Sequence, residues 1–391
     1  MKKITFLSLF IATTFFCQTN TEVHVFDIIK TEKGYDLKNG INISNNAGYD
    51  SQPYFYDDNN VLFASTRNKN TDIIIYNLKT NTKRFISDTP NGGEFSPQRI
   101  PKSNDISAVR LDDDGLQRFY QYDFKSEINK EIIPDLKVAY PSWFDKNTMI
   151  AVAIVHDSLE LFLCDLKKKT NFSIAKNIGR SVHRIPNTNL MSFISKENKD
   201  SWLLKSLNPE NKEIKTITSL KLQEDVTWLP NETLLISRDN YIYKFDPEKD
   251  KTPSLFFSSA DDNINNISRI AVNSDGTKLA LVAEVSPEYL AQEQFEGYNK
   301  RNINAFLKPY AKDVKVYRFP NNLEYEGLEN MRTRYEGFIK NTADLHCELI
   351  KRIVHKNQVI DHELVTANGK TRKAVAIYTT ENGKIVSVTF M

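Results

Sequence analysis

Short runs of alternating apolar and polar residues recur at a nearly constant interval along the first 285 residues. Most of these runs end in an acidic or small polar residue beside an apolar one, as in 25–28 (VFDI), 75–78 (IYNL) and 163–166 (LCDL). The polar members fall at positions 27, 77, 123, 165, 206 and 246, which gives intervals of 50, 46, 42, 41 and 40 residues. An interval of about 40–50 residues is typical of one four-stranded blade of a β-propeller.

Most intervals contain a second landmark, a strand that opens with a proline or an aromatic residue, as in 53–55 (PYF), 141–143 (PSW) and 227–229 (TWL). A turn such as 57–60 (DDNN) follows, and then an apolar strand such as 61–64 (VLFA). This succession of strand, turn and strand predicts consecutive antiparallel hairpins.

The two ends of the array complement each other. Residues 267–282 (ISRIAVNSDGTKLALV) predict the first two strands of a blade, and no third or fourth strand follows them. The missing half stands at the start of the chain, in 22–28 and 35–43. Pairing the two halves closes a ring of six blades and removes exposed sheet edges. The alternative is a β-sandwich whose strands are regularly spaced.

The repeat resembles that of the TolB-like six-bladed β-propellers, with a Pro-x-Trp/Phe segment, a Ser-Pro-Asp-Gly turn and a Tyr-x-x-Asp-Leu-like strand. The resemblance covers about residues 22–285, although the full Asp-Gly turn is kept only at Asp275 and Gly276. It implies a shallow funnel around a central channel that binds a protein or a small ligand, usually without chemistry.

Three acidic residues come just before predicted inner strands of this propeller, namely Asp50, Glu94 and Asp225. We expect them to ring the mouth of the funnel, where they would hold a cation or a basic peptide. The alternative is that they are turn residues that cap strand ends.

The pattern changes at residue 286. Residues 287–307 and 328–339 carry apolar residues at helical spacing, with a turn expected at 299–302. Four strands are then predicted at 345–354, 358–366, 372–380 and 384–390, an α+β arrangement. An α/β-hydrolase peptidase, which follows the propeller in some relatives, is not expected here, because 106 residues (391 − 285) follow the propeller in this sequence and no Gly-x-Ser-x-Gly motif occurs in it.

Residues 286–391 resemble the SnoaL-like group of the nuclear transport factor 2 superfamily. The resemblance rests on segments spread over the domain: 298–306, 310–314, 317–320, Gly327, 331–335, the strand around His346, 359–363 and 383–386. It implies a cone of helices and curved sheet around a pocket. Members include polyketide cyclases, ketosteroid isomerase, dehydratases and non-catalytic binding or dimerising domains.

Steroid-isomerase chemistry is not expected, because its three catalytic positions are altered. Phe319 stands where that enzyme has its base, residues 374–378 contain no acid, and Gln294 and Phe295 lie near the tyrosine position.

Histidines nevertheless offer an acid–base pair for this pocket. We expect His362 and His346 to be the candidate catalytic residues, in a pocket lined by Tyr298, Tyr317, Phe319, Tyr335 and Tyr378. In the strand 358–366, His362 shares one face with Ile360 and Leu364, whereas Asp361 and Glu363 share the other, which we expect to face solvent or an interface. The alternative is that both histidines are structural.

The amino terminus has the pattern of a secretory signal peptide over 1–18: Lys2 and Lys3 precede an apolar run at 4–16 that is too short to cross a bilayer. Cys17 permits a lipoprotein signal, although bulky residues precede it. The alternative is a buried first strand or helix. A secreted, periplasmic or cell-envelope location is therefore expected.

The net charge and the absence of certain motifs argue against several classes of function. Lys and Arg number 52 against 50 Asp and Glu, so the net charge of +2 predicts no nucleic-acid partner. The sequence shows no phosphate loop, no Cys-x-x-Cys pair and no zinc-protease motif, so no cofactor and no metal are expected. Cys164 and Cys347 are expected to be separate buried thiols.

These observations favour a binding or scaffold protein. Its propeller would recognise a protein or a small ligand, and its SnoaL-like domain would bind a small hydrophobic molecule or form a homodimer through its sheet. The alternative is an isomerase-, cyclase- or dehydratase-like enzyme that acts in the SnoaL-like pocket.

Overall fold

The computed structural model describes residues 20–391 apart from 33, 47, 69, 91, 127, 259–263 and 382. The expected signal peptide at 1–18, including Cys17, lies outside the described residues. Within them, no helix has the length and apolar character needed to span a membrane.

The described residues of the amino-terminal part form six four-stranded blades. The first two strands among the described residues are β1 (Thr21–Thr31) and β2 (Gly34–Asn42). Two blades follow, made of β3 (Asp50–Asp57), β4 (Asn60–Arg67), β5 (Asn70–Asn77) and β6 (Thr82–Phe85), then of β7 (Gly93–Arg99), β8 (Ile106–Leu111), β9 (Gln117–Tyr122) and β10 (Asn129–Glu131). One parallel pairing, Thr71 of β5 with Gly93 of β7, joins these two blades into an eight-stranded sheet.

Three further blades complete the internal series. Their strands are β11 (Val138–Trp143), β12 (Thr148–Val155), β13 (Ser158–Asp165) and β14 (Thr170–Lys176); β15 (Ile178–Arg184), β16 (Met191–Ser195), β17 (Trp202–Leu207) and β18 (Ile214–Lys221); and β19 (Val226–Trp228), β20 (Leu234–Arg238), β21 (Tyr241–Phe245) and β22 (Ser254–Ser258).

The sixth blade, here the closing blade, joins the two ends of the array. Its strands β23 (Asn265–Val272) and β24 (Lys278–Glu284) continue into β1 and β2 in the order β2-β1-β24-β23. Strand β1 runs antiparallel to β24, with Val25 opposite Ala280. The predicted closure of a six-bladed ring by the amino-terminal strands is confirmed.

Consecutive apolar residues in a blade strand serve two different cores. Val61, Leu62 and Phe63 of β4 are all fully buried. Because neighbouring side chains point to opposite faces of a sheet, Phe63 packs with Val23 of the closing blade, whereas Leu62 packs with Ile106 of the following blade. Each blade is therefore covered on both faces, which explains why its middle strands are apolar without interruption.

The carboxy-terminal part consists of three helices and one six-stranded sheet. The helices are α1 (Pro287–Asn299), α2 (Ile303–Leu307) and α3 (Leu328–Asn341). The strands are β25 (Tyr310–Arg318), β26 (Asn322–Glu326), β27 (His346–His355), β28 (Gln358–Ala367), β29 (Lys370–Glu381) and β30 (Lys384–Phe390), in the order β26-β25-β30-β29-β28-β27.

Local sequence determines where the first helix begins and ends. The Ser286 side chain accepts a hydrogen bond from the backbone N–H of Tyr289, and Pro287 occupies the first turn. Helix α1 ends at Asn299 and α2 begins at Ile303, which confirms the turn expected at 299–302. Strands β25 and β26 were not among the four strands predicted from periodicity.

The two described cysteines are free and buried in different domains, as expected. Cys164 belongs to a blade core, where burial raises the pKa of its thiol to about 12. Cys347 lies on β27 of the small domain.

Candidate functional site

The inner face of the small domain's sheet and helices α1 and α3 enclose a cavity of about 210 Å³. Most of its wall is aromatic, contributed by Phe295, Tyr298, Phe306, Tyr335, Phe338 and Phe390. The Phe306 ring packs 4.9 Å from that of Tyr335 and 5.5 Å from that of Tyr310, centroid to centroid. This is the cone pocket expected from the sequence, and it has one polar side.

Three of the five predicted pocket tyrosines and phenylalanines line this cavity: Tyr298, Tyr335 and Tyr378. Tyr317 and Phe319 do not. Along β25, Val314 and Val316 face the buried core, so Tyr317 is on the other face of the strand. Phe319 follows the end of that strand and is 54% exposed.

The structure corrects the expected orientation of strand β28. Asp361 and Glu363 are buried, with Glu363 lining the cavity, whereas His362 is half-buried on the opposite face of the sheet. His346 is exposed at the start of β27. The alternation of faces was predicted correctly, but the inward side was not. Neither histidine reaches the pocket.

A buried ion pair accounts for Asp361. On the adjacent strand, Arg352 lies directly opposite Asp361, with Nε and Nη2 each 2.7 Å from a carboxylate oxygen. The third contact of this guanidinium is from Nη1 to Oε1 of Gln292, at 3.0 Å. The ion pair and its hydrogen bonds offset the free-energy cost of burying the negative charge of Asp361.

No cation among the described residues pairs with Glu363, which belongs instead to a chain of hydrogen bonds. The Tyr378 hydroxyl donates to Oε1 of Glu363 at 3.3 Å, and Nε2 of Gln294 donates to that hydroxyl at 2.9 Å. The Tyr310 hydroxyl donates to Oε1 of Gln294 at 3.4 Å. These four side chains form the polar side of the pocket.

Burial raises the pKa of Glu363 to about 7, and the negative charge of Asp361 adds to the shift. Hydrogen bonds from Tyr378 and Cys347 and the charge of Arg352 oppose it. Near neutral pH this carboxyl group therefore exists in both protonation states and can donate or accept a hydrogen bond or a proton.

A second cavity, of about 590 Å³, follows the propeller axis and is lined by the innermost strands of all six blades. Of the three acidic residues expected at the funnel mouth, only Asp225 lines it. Its carboxylate pairs with Arg180, whose Nε is 2.9 Å from Oδ1, and Nε of Arg269 is 3.9 Å from the same oxygen. Arg269 also lies over the ring of Tyr140, 5.2 Å from its centroid.

Asp50 and Glu94 are instead buried at junctions between blades. Glu94 accepts hydrogen bonds from the hydroxyls of Ser87, Thr89 and Tyr122, at 3.0, 2.5 and 3.1 Å. Burial raises the pKa of Asp50 to about 7. Their placement corrects the expected funnel ring, because both side chains are buried and neither lines the channel.

The polar pocket residues that sequence reasoning missed are Glu363, Gln294 and Tyr310. One signal could have pointed to them. Arg352 and Asp361 have opposite charges on consecutive strands, and a charge pair across a hairpin inside an otherwise apolar strand favours burial of that face.

Both domains are similar to known proteins. Residues 291–388 match the family model of the SnoaL-like domain. The propeller is similar to a protein from Agrobacterium tumefaciens provisionally named TolB, with 11% identity over 68% of this chain and 98% of that chain and a TM-score of 0.53. TolB from Acinetobacter baumannii is 13% identical over 68% of this chain and 64% of that chain, with a TM-score of 0.43.

An NTF2-like protein of unknown function from Cytophaga hutchinsonii is 22% identical over 28% of this chain and 91% of that chain, with a TM-score of 0.25. No curated protein matches the chain. The Agrobacterium structure shows the propeller fold and the family model shows the SnoaL-like domain, which confirms the expected fold class.

Proposed function

Because the chain joins a TolB-like six-bladed propeller to a SnoaL-like domain, we propose that it is a binding protein whose cone pocket holds a small, mostly apolar ligand. The observation that carries this proposal is the cavity of about 210 Å³, aromatic on most sides and polar at Glu363, Tyr378 and Gln294. Apolar walls with a few convergent polar groups are the usual composition of a small-molecule site.

The size and walls of the pocket define the ligand class. Its volume lies below the roughly 300–1,000 Å³ of sites for drug-sized molecules, so a single ring with short substituents fits best. Aromatic walls favour a flat apolar body. Glu363 and Tyr378 between them offer an acceptor and a donor, which suits a phenol or a cyclic ketone.

Binding of 4-ethylphenol and cyclohexanone to the full chain, measured by isothermal titration calorimetry, tests this proposal. Ala374 lines the pocket opposite Glu363 on β29, and the next residue, Val375, points to the other face of the sheet. Ala374→Leu fills the pocket and should abolish binding, whereas Val375→Leu should bind like the unmodified chain. No binding of either probe, or equal binding in both variants, would contradict the proposal.

A second candidate function is favoured by Glu363 itself. A carboxyl group whose pKa is near 7 suits proton transfer at neutral pH, because it can take up or release a proton there. Glu363 would remove a proton from a carbon next to a carbonyl group and return it, as in an isomerisation. In D₂O, we expect the chain to accelerate exchange of the α-protons of cyclohexanone, followed by NMR.

Two variants decide which residue acts. Glu363→Gln should lose the exchange activity, and His362→Gln should keep it. If His362→Gln loses the exchange activity and Glu363→Gln keeps it, the histidine transfers the proton. If the unmodified chain does not accelerate exchange, the proton-transfer function is wrong and only the binding function stands.

For the propeller, we propose that the channel mouth receives a partner protein or a small ligand. The channel of about 590 Å³ supports this, together with the Arg180, Asp225 and Arg269 cluster on its wall. Arg180→Ala should weaken binding at the channel mouth and leave the binding of 4-ethylphenol in the cone pocket unchanged. Weaker binding of 4-ethylphenol with unchanged binding at the channel would contradict the proposal.

We also propose export from the cytoplasm and self-association. The pattern at 1–18 supports export, with Cys17 as a site for a lipid anchor, and mass spectrometry of the mature amino terminus tests both. Exposed Ile350, Ile353 and Val354 on β27 support a homodimer through the sheet. A monomer mass in light scattering would refute the dimer.

A further inference from the structure

A third cavity lies between the two domains. It measures about 380 Å³ and is bounded by the closing blade with the segment that follows β2 on one side, and by α1, Lys308 and Lys384 on the other. The domains touch beside it, where Nδ2 of Asn20 donates to the carbonyl of Gly383 at 3.0 Å. A Cβ atom at Gly383 would lie 2.5 Å from that of Asn20, so glycine permits this approach.

The carboxy-terminal wall presents a cation, Lys384, that forms no ion pair with the described residues, although the carboxyl groups of Glu293 and Glu22 lie near enough to act on its charge. The Lys384 ammonium donates to the carbonyl of Lys308 at 2.8 Å, and no described carboxylate lies within ion-pair distance of it. Burial lowers the pKa of Lys384. The neighbouring ammonium of Lys308 differs, because it pairs with Glu293 at 2.5 Å. Lys384 therefore has donors left for an anionic group in the cavity.

The opposite wall is rich in hydrogen-bonding groups. Glu22 is held by the Ser44 hydroxyl and by the backbone N–H of Asn46, 3.3 Å from Oε1. Burial raises the pKa of its carboxyl group. The side-chain oxygen of Asn42 accepts from the backbone N–H of Asn45 at 2.9 Å, and the Asn42 side chain also hydrogen-bonds to Glu22.

These two walls favour a small monoanion over a phosphate. The ammonium of Lys384 can balance a single negative charge, whereas the second charge of a phosphate would find Lys308 already paired with Glu293 and would lie near the carboxyl group of Glu22. The far end of the ligand meets a carboxyl group and amides, which bind hydroxyl or ammonium groups. The exposed side of Tyr289 offers an aromatic surface between the two ends.

We propose that this interdomain cavity binds a small carboxylic acid that also carries hydroxyl or ammonium groups, with its carboxylate on Lys384 and its donors on Glu22 and the asparagines. Ligand sites occur preferentially at domain interfaces, and a ligand here contacts both domains at once. The site is separate from the cone pocket and goes beyond the function proposed for it.

Calorimetry on the full chain tests the proposal with four probes. Gluconate carries a carboxylate and hydroxyls, and L-serine carries a carboxylate, an ammonium and a hydroxyl, so they separate a sugar acid from an amino acid as the ligand class. Acetate lacks the donors and glucose lacks the charge. We expect gluconate or L-serine to bind at least tenfold more tightly than acetate and glucose.

Variants assign the binding to this cavity. Lys384→Met should weaken the better probe at least tenfold, Lys384→Arg should retain it, and Lys312→Met, at an exposed lysine of β25, should change it less than twofold. Glu22→Gln should weaken L-serine more than gluconate. Ala374→Leu, which fills the cone pocket, should leave both unchanged, so this proposal and the earlier one fail independently.

Three results would overturn the proposal: no binding of gluconate or L-serine at millimolar concentration, acetate binding as tightly as both, or unchanged binding in Lys384→Met.

Discussion

The buried ion pair between Arg352 and Asp361 allows the sharpest prediction. Their side chains are 8% and 0% exposed, and both bridging contacts are 2.7 Å. Arg352→Met keeps an unbranched apolar side chain and removes the guanidinium group, which leaves Asp361 buried without its cation. Removal of one member of a buried pair costs about 3–5 kcal/mol.

Hydrogen–deuterium exchange is the assay, because it reports β27 and β28 separately from the propeller. A loss of about 3–5 kcal/mol, at about 1.4 kcal/mol per factor of ten, accelerates exchange of the protected amides there by roughly 10²–10⁴-fold. Strand β12 of the propeller should not change. Arg372→Met, at an exposed arginine of β29, is the matched control and should leave exchange within about threefold.

The double variant Arg352→Met with Asp361→Leu completes the test. Replacing both charges by apolar groups removes the unpaired carboxylate, so most of the lost protection should return. Unchanged exchange in Arg352→Met would refute the account, because the pair would then not be buried. Equal loss in the single and double variants would show that the packing of Arg352 matters and its charge does not.

Further predictions concern the pocket carboxyl group, a blade contact and the thiols. Because the pKa of Glu363 is about 7 when folded, above its usual value, the folded state holds a proton that the unfolded state has lost between about pH 4.5 and 7, and stability falls as pH rises through that window. The free energy of unfolding of Glu363→Gln, measured in urea relative to that of the unmodified chain, should therefore be about 1–3 kcal/mol higher at pH 8 than at pH 5. The same difference between the two chains at both pH values would show that Glu363 is not buried. The indole of Trp228 donates to the Ser192 hydroxyl of the neighbouring blade at 2.9 Å, so Trp228→Phe should destabilise the chain by about 1–3 kcal/mol, and a thermal midpoint within 1 °C, approximately, would contradict this. Iodoacetamide labelling resolved by peptide should leave Cys164 and Cys347 unmodified in the native chain and label both in urea; rapid native labelling would show that they are accessible.

The architecture of the propeller could be predicted because its signals are local and repeated. The turn at Asp275 and Gly276 marks a half blade, and the strands near Val25 supply the other half. Periodicity missed β25 because four of its nine residues are charged and these do not alternate with apolar ones. Its buried positions, Tyr310, Val314 and Val316, are therefore not evenly spaced along the strand.

The site was harder to predict than the fold. The alternation of residues in β28 predicts which side chains share a face, but it does not show which face lies inward. Ile360 and Leu364 are on one face and the acids Asp361 and Glu363 are on the other, so hydrophobicity alone favours the wrong face. The answer depends on Arg352, whose position against Asp361 follows a register shift between Leu349 and Lys351. A sequence does not specify such a shift, because it depends on how the paired strand curves.

Direct titration of Glu363 tests the central claim, that this residue and not His362 faces the interior of the cone pocket. The carboxyl carbon is followed by ¹³C NMR in the full chain labelled at glutamate, with Glu363→Gln identifying the signal. The account predicts a pKa of about 7 for this group, and a change in it when 4-ethylphenol binds. A pKa near the ordinary value of about 4.3, unaffected by the phenol, would show that Glu363 faces solvent and would contradict the account.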